Sequence, residues 1–113
     1  MYEQEIARLT SEAGELQHLG RRISSAHGRC ESLRERLNPV AEKANLVIAG
    51  SVSAQEKQMI GGAVEARQQL QSAQDRLTDS VQAVRRELAR IEAEIQRLRE
   101  LQREEEIRRA ARR

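Results

Sequence analysis

The fold is decided by the stretch Ala44-Asn-Leu-Val-Ile-Ala-Gly-Ser-Val-Ser-Ala-Gln55, which carries no charge in a chain where 34% of the residues are charged. It contains the aliphatic run Leu46-Val47-Ile48, followed by Gly50 and by two serines around a valine. Long, charge-rich segments with helical periodicity lie on both sides of it. We therefore predict that this stretch is the tip of an antiparallel helical hairpin.

The composition is typical of long helices rather than of a globular core. The 113 residues include one aromatic, Tyr2, and neither Trp nor Phe, while Arg, Glu, Gln, Ala and Leu are abundant. Such a mixture with a helical apolar period favours a coiled coil. No apolar run reaches the roughly 18 residues of a membrane span, and Met-Tyr-Glu-Gln-Glu at the start does not resemble a cleavable signal peptide. We expect a cytoplasmic protein, with co-secretion by a route that needs no such signal left open.

The N-terminal segment carries an apolar stripe whose steps alternate between three and four residues, as in a helix that packs along one side. We predict helix 1 over about residues 3–48. Asn38-Pro39 interrupts it, because proline lacks a backbone donor and disfavours helical geometry at the preceding residue. Two alternatives stay open: the helix kinks and continues, or Asn38 caps a new short helix with Pro39 in its first position. Gly50 is the expected stop.

Helix 2 has a clear start and a regular seam. Ser53-Ala54-Gln55-Glu56 fits a capping box, and we predict the helix over about residues 54–108. Apolar residues recur every seven positions from Leu70 to Leu98, with a second interleaved series. If the chain reverses near Gly50-Ser53, the numbers of facing residues should sum to about 103 or 104, and the two stripes meet this condition. The predicted hairpin seam consists of Leu16, Ile23, Leu33, Leu70, Leu77, Val81, Val84, Leu88, Ile91, Ile95 and Leu98.

These patterns predict one all-α domain over residues 1–113, an antiparallel two-helix hairpin or coiled coil with a kink near Asn38-Pro39 and a tip at residues 49–53. Residues 107–113 form a basic end. They hold four arginines and no acidic residue, whereas the whole chain has a net charge of +2, so residues 1–106 have a net charge of −2. The basic end is short, follows Glu104-Glu105-Glu106 directly and has no aromatic residue to stack on bases. We expect no nucleic-acid partner.

No pattern in the chain indicates catalysis, a cofactor or a metal site. His18 and His27 lack further ligands at the spacing that structural zinc requires. Cys30 falls on the apolar stripe of helix 1, where a small hydrophobic side chain is expected rather than a nucleophile. The glycines have neither the spacing nor the lysine of a phosphate-binding loop. We therefore predict a protein that is not an enzyme.

The tip holds more aliphatic side chains than one chain reversal covers. Exposed apolar patches usually mark interaction sites, so we predict a partner-binding surface here. The alternative is that these residues pack only on each other. The predicted members of the surface are Leu46, Val47, Ile48, Gly50, Val52, Met59 and Ile60.

The hairpin length, the missing signal peptide and the tip tripeptide Ile48-Ala49-Gly50 resemble the WXG-type superfamily of type VII secretion, especially the small partner proteins of LXG toxins. In that family Trp-x-Gly occupies the bend, and a serine-rich cap and a long heptad-rich helix follow. Here isoleucine replaces the tryptophan, and Leu101-Gln-Arg-Glu-Glu105 stands where an aromatic export signal is often found. The resemblance implies a non-catalytic escort. It would pair with the helical N-terminal domain of a secreted toxin, or with a second small helical protein, and help to present it for export.

A second hypothesis comes from a different class of protein. The chain would be a coiled-coil scaffold, or a stalk protein of an export apparatus, that self-associates through the same seams. A prefoldin-like holdase ranks third, because the aliphatic residues of the tip are too few for its β-hairpins. The escort hypothesis predicts a complex with another protein, whereas the scaffold hypothesis predicts homo-oligomers.

Overall fold

A computed structural model describes residues 2–112 and gives them an all-α fold. This range contains α1 (Glu3–Ala41), α2 (Ala44–Ile48) and α3 (Ala54–Ala111), and no residue within it lies in a β-strand. The chain reverses between α2 and α3, so the predicted all-α hairpin is confirmed. None of the three helices is long and apolar enough to cross a membrane.

The hairpin comprises two compact units, each with one segment of α1 and one of α3. Unit 1 combines the residues up to Arg22 with those from Val81 onward. Its two segments are antiparallel: Gln102 donates a hydrogen bond to Oε1 of Glu3 at 3.4 Å, and Val84 lies beside Gly20. A Cβ atom added to Gly20 would lie 3.5 Å from Cγ1 of Val84, so glycine brings the helices close together at this point.

The core of unit 1 is a continuous apolar cluster. Ile91 is the most deeply buried of its large side chains. Leu9 and Ile95 occur together in this cluster, as do Ala13 and Ile91, and both pairs have numbers that sum to the predicted 104. Each fully buried aliphatic side chain contributes about 1.5–3 kcal/mol. The buried members are Leu9, Ala13, Ile91, Ile95 and Leu98, and the half-buried ones are Tyr2, Ile6, Leu16, Leu88 and Leu101.

Unit 2 spans Ile23–Ser80 and contains the tip. Its segments of α1 and α3 are also antiparallel. Arg34 of α1 bonds to Gln74 of α3, whereas Asn38, further along α1, bonds to Arg67, which comes earlier in α3. The buried apolar residues of this unit are Ala41, Ile60 and Ala63. Every apolar side chain from Ile23 to Val40 keeps part of its surface exposed. Unit 2 therefore has a thin apolar core.

Helix α1 continues through Pro39 and ends two residues later. Proline removes only its own amide from the hydrogen-bond ladder, and Glu42 still donates to the carbonyl of Asn38 at 2.9 Å. The next amide, of Lys43, donates to Val40 at 3.1 Å, three residues back, and this tighter turn ends the α-helix. The interruption of helix 1 thus lies at Glu42-Lys43 rather than at Asn38-Pro39. Asn38 lies inside α1 and does not cap a new helix.

Helix α2 ends in a Schellman motif that starts the reversal. Ser51 donates to the carbonyl of Leu46 at 3.0 Å, and Gly50 donates to Val47 at 3.1 Å. These are the two hydrogen bonds of the motif, and they form when the residue before Ser51 adopts the left-handed conformation. Gly50 supplies it with φ +71°. Gly50 therefore stops the helix as predicted, for a conformational reason.

Helix α3 begins one residue after the predicted cap. The backbone amide of Glu56 donates to Oγ of Ser53 at 3.2 Å, which satisfies one of the free donors of the first turn. The Ser53 hydroxyl in turn donates to the Glu56 carboxylate at 3.3 Å. The capping residues of the sequence thus fix where the second arm of the hairpin starts.

At the other end, α3 remains helical to Ala111. Two i,i+4 ion pairs lie along this end of the helix, Arg108 with Glu104 at 3.6 Å and Arg109 with Glu105 at 3.1 Å. Such exposed pairs each contribute a few tenths of a kcal/mol. Of the predicted basic end, residue 113 lies outside the described residues.

Replacing Gly50 with valine should destabilise the hairpin by about 1–2 kcal/mol, because an L-residue with a Cβ disfavours the left-handed conformation. No atom lies within 4 Å of the added Cβ, so the effect is conformational. Urea unfolding followed by far-UV circular dichroism measures it. Gly61→Val is the control: this site in α3 is equally open, and valine there should be neutral or slightly stabilising. Equal effects of the two substitutions would contradict the Schellman assignment.

Candidate partner-binding surface

The tip surface is defined here by the side chains of Leu46, Val47, Ile48, Val52 and Met59 together with Gly50. Its three large side chains are open to solvent: Ile48 is 85% exposed, Met59 65% and Leu46 45%. Helix α2 has only five residues and none of them is buried. One helical turn has no second layer to cover its apolar side, so the exposure follows directly from the length of α2.

Two valines attach the tip surface to the hairpin, since Val47 and Val52 are half-buried. Ile60, which the sequence assigned to the same surface, is instead buried at 4% exposure. Ile60 lies at the heptad position of α3 that Val81, Leu88 and Ile95 occupy further along. That position faces α1, so Ile60 is buried and is not part of the exposed tip surface.

The tip surface is also free of charge. No residue from Ala44 to Gln55 is ionisable, and the flanking charges, Lys43 and Glu56, are exposed. An apolar surface without carboxylates or ammonium groups recognises a partner by shape and by burial of its own apolar atoms.

The seam residues of unit 1 differ in burial from those of unit 2. In unit 1, Val84, Ile91, Ile95 and Leu98 are buried, and Leu16, Val81 and Leu88 are half-buried. In unit 2, Ile23, Leu70 and Leu77 are half-buried, and Leu33 is 46% exposed. The sequence analysis did not distinguish these two environments, because it followed the series from Leu70 to Leu98, which runs through both units.

Polar contacts replace apolar packing in the seam of unit 2. Nη1 of Arg34 donates to Oε1 of Gln74 at 2.5 Å, and Nη1 of Arg67 donates to Oδ1 of Asn38 at 3.4 Å. Gln74 is only 4% exposed. Sequence reasoning missed these contacts, although Arg67 and Gln74 occupy the same heptad position as Ile60. A polar residue at an apolar heptad position was the available signal.

The contact between Arg34 and Gln74 is incompletely satisfied. Nε of Arg34 is buried and has no hydrogen-bond partner among the described residues. Buried polar groups of this kind lower stability but select one register of pairing, because a slipped register would leave more of them unpaired. The contact thus favours the register in which Arg34 faces Gln74.

Ion pairs are confined to unit 1 within residues 2–112. The pKa of Glu5 is lowered from its ordinary value by hydrogen bonds from Arg8 and by the charge of that guanidinium. Hydrogen bonds from Arg90 and Arg97 likewise lower the pKa values of Glu87 and Glu94. The pKa values of the three arginines are raised by the same contacts.

An open groove lies between α1 and α3 in unit 2. Leu33 and Leu37 line it from α1, and Ala66 and Leu70 from α3. The other lining residues are Arg36 and Gln69. The groove is on the side of the hairpin that the polar contacts of Arg34 and Asn38 do not cover, since those two residues are not among its lining. Unit 2 therefore has a polar edge and an apolar edge.

Potential metal ligands are dispersed. Within residues 2–112 no group of three or more His, Cys, Asp or Glu side chains is placed to hold a metal ion. Cys30 is a half-buried free thiol in unit 2. His18 is exposed and His27 is half-buried.

Fold and surfaces together define an all-α hairpin with an exposed apolar tip and an open apolar groove. Comparison with protein-family models, with curated proteins and with solved structures finds no match to this chain.

Replacing Gln74 with leucine should destabilise the protein by about 1–3 kcal/mol, because the Arg34 guanidinium then loses its acceptor in a buried site. Adding Arg34→Leu should recover most of this loss, since both polar partners are then replaced by apolar groups. Urea unfolding of the single and double variants measures the coupling. Gln68→Leu, at an exposed site, is the control and should change stability by less than about 0.5 kcal/mol. Additive effects of the two substitutions would contradict the proposed contact.

Proposed function

We propose that this protein is a non-catalytic escort. It binds the helical N-terminal domain of a protein exported by type VII secretion, a toxin of the LXG kind, and helps to present it for export. The observation that carries the proposal is the exposure of Ile48 in an uncharged tip. Exposed apolar patches of this kind usually mark interaction sites.

The tip surface has the features of an interaction site. Leu46 and Ile48 are large and project from a reversal whose backbone is held by hydrogen bonds, and the third large side chain, Met59, projects from the start of α3. Burial of each such side chain in an interface removes apolar area worth about 1.5–3 kcal/mol. Part of this gain is offset by the entropy lost on association. Three anchors on a preformed turn favour a specific complex.

The thin core of unit 2 favours a helical partner. Two helices that meet along a narrow stripe leave part of their apolar surface exposed, and helix bundles usually solve this with further helices. Leu33 and the half-buried leucines of α3 would be covered by such an addition. A helical domain supplies the missing layer without any change in the hairpin.

The resemblance to the WXG-type superfamily also supports the proposal. Ile48 stands at the place of the family's tryptophan and is the most exposed large apolar side chain among the described residues. Gly50 stands at the place of the family's glycine and has the left-handed conformation that the reversal needs. An aliphatic residue at the first place preserves the apolar character of the bend.

The alternative function is a self-associating coiled-coil scaffold, or a stalk protein of an export apparatus. The observation in its favour is the exposure of Leu33 on the seam itself. In that case two copies of the chain would cover each other's seams. Sizing of the purified chain by multi-angle light scattering distinguishes the two proposals, because the scaffold requires a homo-oligomer and the escort does not.

We predict that Ile48→Asp abolishes co-purification of the partner while leaving the helical content of the chain unchanged. A charge placed at the centre of an apolar interface is left desolvated and unpaired in the complex. The tagged chain is expressed in its source organism, and bound proteins are identified by mass spectrometry. The expected partner is a large polypeptide with a helical N-terminal domain and a C-terminal toxin domain.

Ile107→Asp is the matched control, since Ile107 is also an exposed isoleucine but lies near the end of α3 in unit 1. It should retain the partner. Binding that survives Ile48→Asp would show that the tip is not the interface. An isolated chain that is a rigid, fully helical monomer with a high Tm would also count against an escort that depends on a partner.

A further inference from the structure

Helix α3 carries a line of alternating charge along one edge of unit 1. Its members recur every seven residues: Arg85, Glu92, Arg99 and Glu106. Seven residues are two helical turns, so the four side chains project from the same side of α3. All four are exposed, and all belong to unit 1. The first three follow directly on buried residues of the seam, so the line borders the apolar stripe.

The charges of this line are not paired within the hairpin. Ion pairs along a helix join residues three or four positions apart. No residue at that distance from Arg85, Glu92 or Arg99 has the opposite charge. Glu106 has Arg109 at that distance, but Arg109 pairs with Glu105. Within residues 2–112 none of the four members of the line forms an ion pair.

The opposite edge of the same seam has its charges paired. Glu94 lies two residues after Glu92, which is about 200° around the helix. On that edge Glu94 pairs with Arg97, and Glu87 pairs with Arg90. Each of these pairs lies within one turn of α3. The two edges of unit 1 thus differ, because one satisfies its charges locally and the other leaves them to an external partner.

An open groove in unit 1 lies along the edge that carries the alternating line. Glu92 and Arg99 line it from α3, and Thr10, Gly14 and Gln17 line it from α1. The other lining residues are Ala13, Ile95 and Gln96. No charged residue of α1 belongs to this lining. Nothing lies within 4 Å of a Cβ atom added to Gly14, so α1 leaves room for a further helix.

We propose that this groove is the interface of an antiparallel homodimer, in which α3 of a second copy lies along α3 of the first. The two-fold axis is level with the peptide bond between Ile95 and Gln96. Arg85 then faces Glu106 of the second copy, and Glu92 faces its Arg99. The symmetry repeats both pairs, so all four members of the line in each copy are paired.

The alternation discriminates against other arrangements of two copies. Two parallel helices in register would place each charge beside its own copy. An antiparallel pair slipped by seven residues would place Glu92 or Arg99 opposite its own copy. Both arrangements bring like charges together. A parallel pair offset by seven residues is not symmetric and leaves charges unpaired at its ends.

The remaining charges on this edge agree with the antiparallel arrangement. Arg103 lies one turn beyond Arg99 and therefore within one turn of the second copy's Glu92. On α1, Glu3 and Arg21 lie on the same edge, seven residues before Thr10 and seven after Gly14, outside the groove lining. A helix of uniform charge from another protein would match only half of the line. The alternation thus selects α3 of a second copy.

This dimer goes beyond the function proposed for the tip. It uses neither the tip surface nor the seam of unit 2 around Leu33, on which the scaffold hypothesis rests. Exposed ion pairs contribute little each and are screened by salt. The interface is polar and small, which is typical of weak association. We therefore expect a reversible dimer that forms at high protein concentration and low ionic strength.

Sedimentation equilibrium of the full chain tests this expectation. At about 50 mM salt the chain should dimerise with a Kd of about 10–100 µM. At about 500 mM salt the Kd should rise by at least about five-fold, because the Debye length falls below the separation of exposed charges.

Two reversed variants and their mixture locate the interface. Glu92→Arg places two arginines opposite each other, and Arg99→Glu places two glutamates opposite each other. Each variant alone should self-associate at least about ten-fold more weakly than the unchanged chain. Mixed in equal amounts, they should form a heterodimer with about the original Kd, because each arginine of one chain then faces a glutamate of the other. Recovery in the mixture shows that both variants are folded.

Matched controls make the same charge changes away from the groove. Glu15→Arg and Arg86→Glu alter exposed residues of unit 1 that form no ion pair within residues 2–112. Glu15 follows Gly14 and Arg86 follows Arg85, each about 100° further around its helix. These variants should keep the Kd within about two-fold. Ile48→Asp and Leu33→Asp should also leave it unchanged, which separates the dimer from both functions proposed above.

Four results would overturn the proposal. The chain stays monomeric up to about 1 mM at low salt. The variants at Glu92 and Arg99 behave like the controls. The mixture of the two variants associates no more tightly than either variant alone. The chain dimerises but Leu33→Asp dissociates the dimer, in which case the interface is the seam of unit 2.

Discussion

The structure depends on one constraint, the narrow width of the apolar stripe along which two helices meet. A helix in a two-helix hairpin contacts its partner through only two heptad positions, so all other side chains face water. Where both positions are aliphatic, as around Leu9, Ile91 and Ile95, the stripe is wide enough to bury a cluster. Where one position is polar, as at Arg67 and Gln74, the seam of that unit stays half-open. The burial pattern of each unit thus follows from whether both of its heptad positions are aliphatic or one of them is polar.

The reversal is a second constraint, and it acts through backbone geometry. A Schellman motif with glycine in the left-handed conformation ends α2, and a serine cap begins α3 only a few residues later. Hydrogen bonds occupy the carbonyls and amides on both sides of the turn, so the connection is well defined although little of it is buried. Because the Schellman motif at Gly50 ends α2 after only five residues, Ile48 lies at the exposed end of a one-turn helix. The exposed apolar side chain is thus a consequence of how the chain turns.

The elements that depend on local chemistry were predictable from the sequence. The cap at Ser53, the stop at Gly50 and the facing of Leu9 with Ile95 all follow from residue type and spacing. The interruption at Glu42-Lys43 was not predictable. Proline removes only its own amide donor, and the residues after it still form the hydrogen bonds of a further turn. Predicting the burial of Ile60 would have required giving its heptad position more weight than its closeness to the tip. Predicting the open groove would have required knowing which side of the hairpin the polar contacts of Arg34 and Asn38 cover.

The thin core of unit 2 and its two candidate surfaces have the same physical origin. A unit that buries few aliphatic side chains gains little free energy from folding alone, and the side chains left exposed are those that a partner helix would cover. Binding then contributes to the stability of the fold as well as to the complex, since a ligand of the native state shifts unfolding by mass action. For any such partner, part of the interaction free energy would go into ordering unit 2, so the affinity should be lower than the contact area suggests. The polar contact between Arg34 and Gln74 has the compensating effect of favouring one register of the two helices. A hairpin built in this way holds its tip and its groove within one unit whose own core is thin.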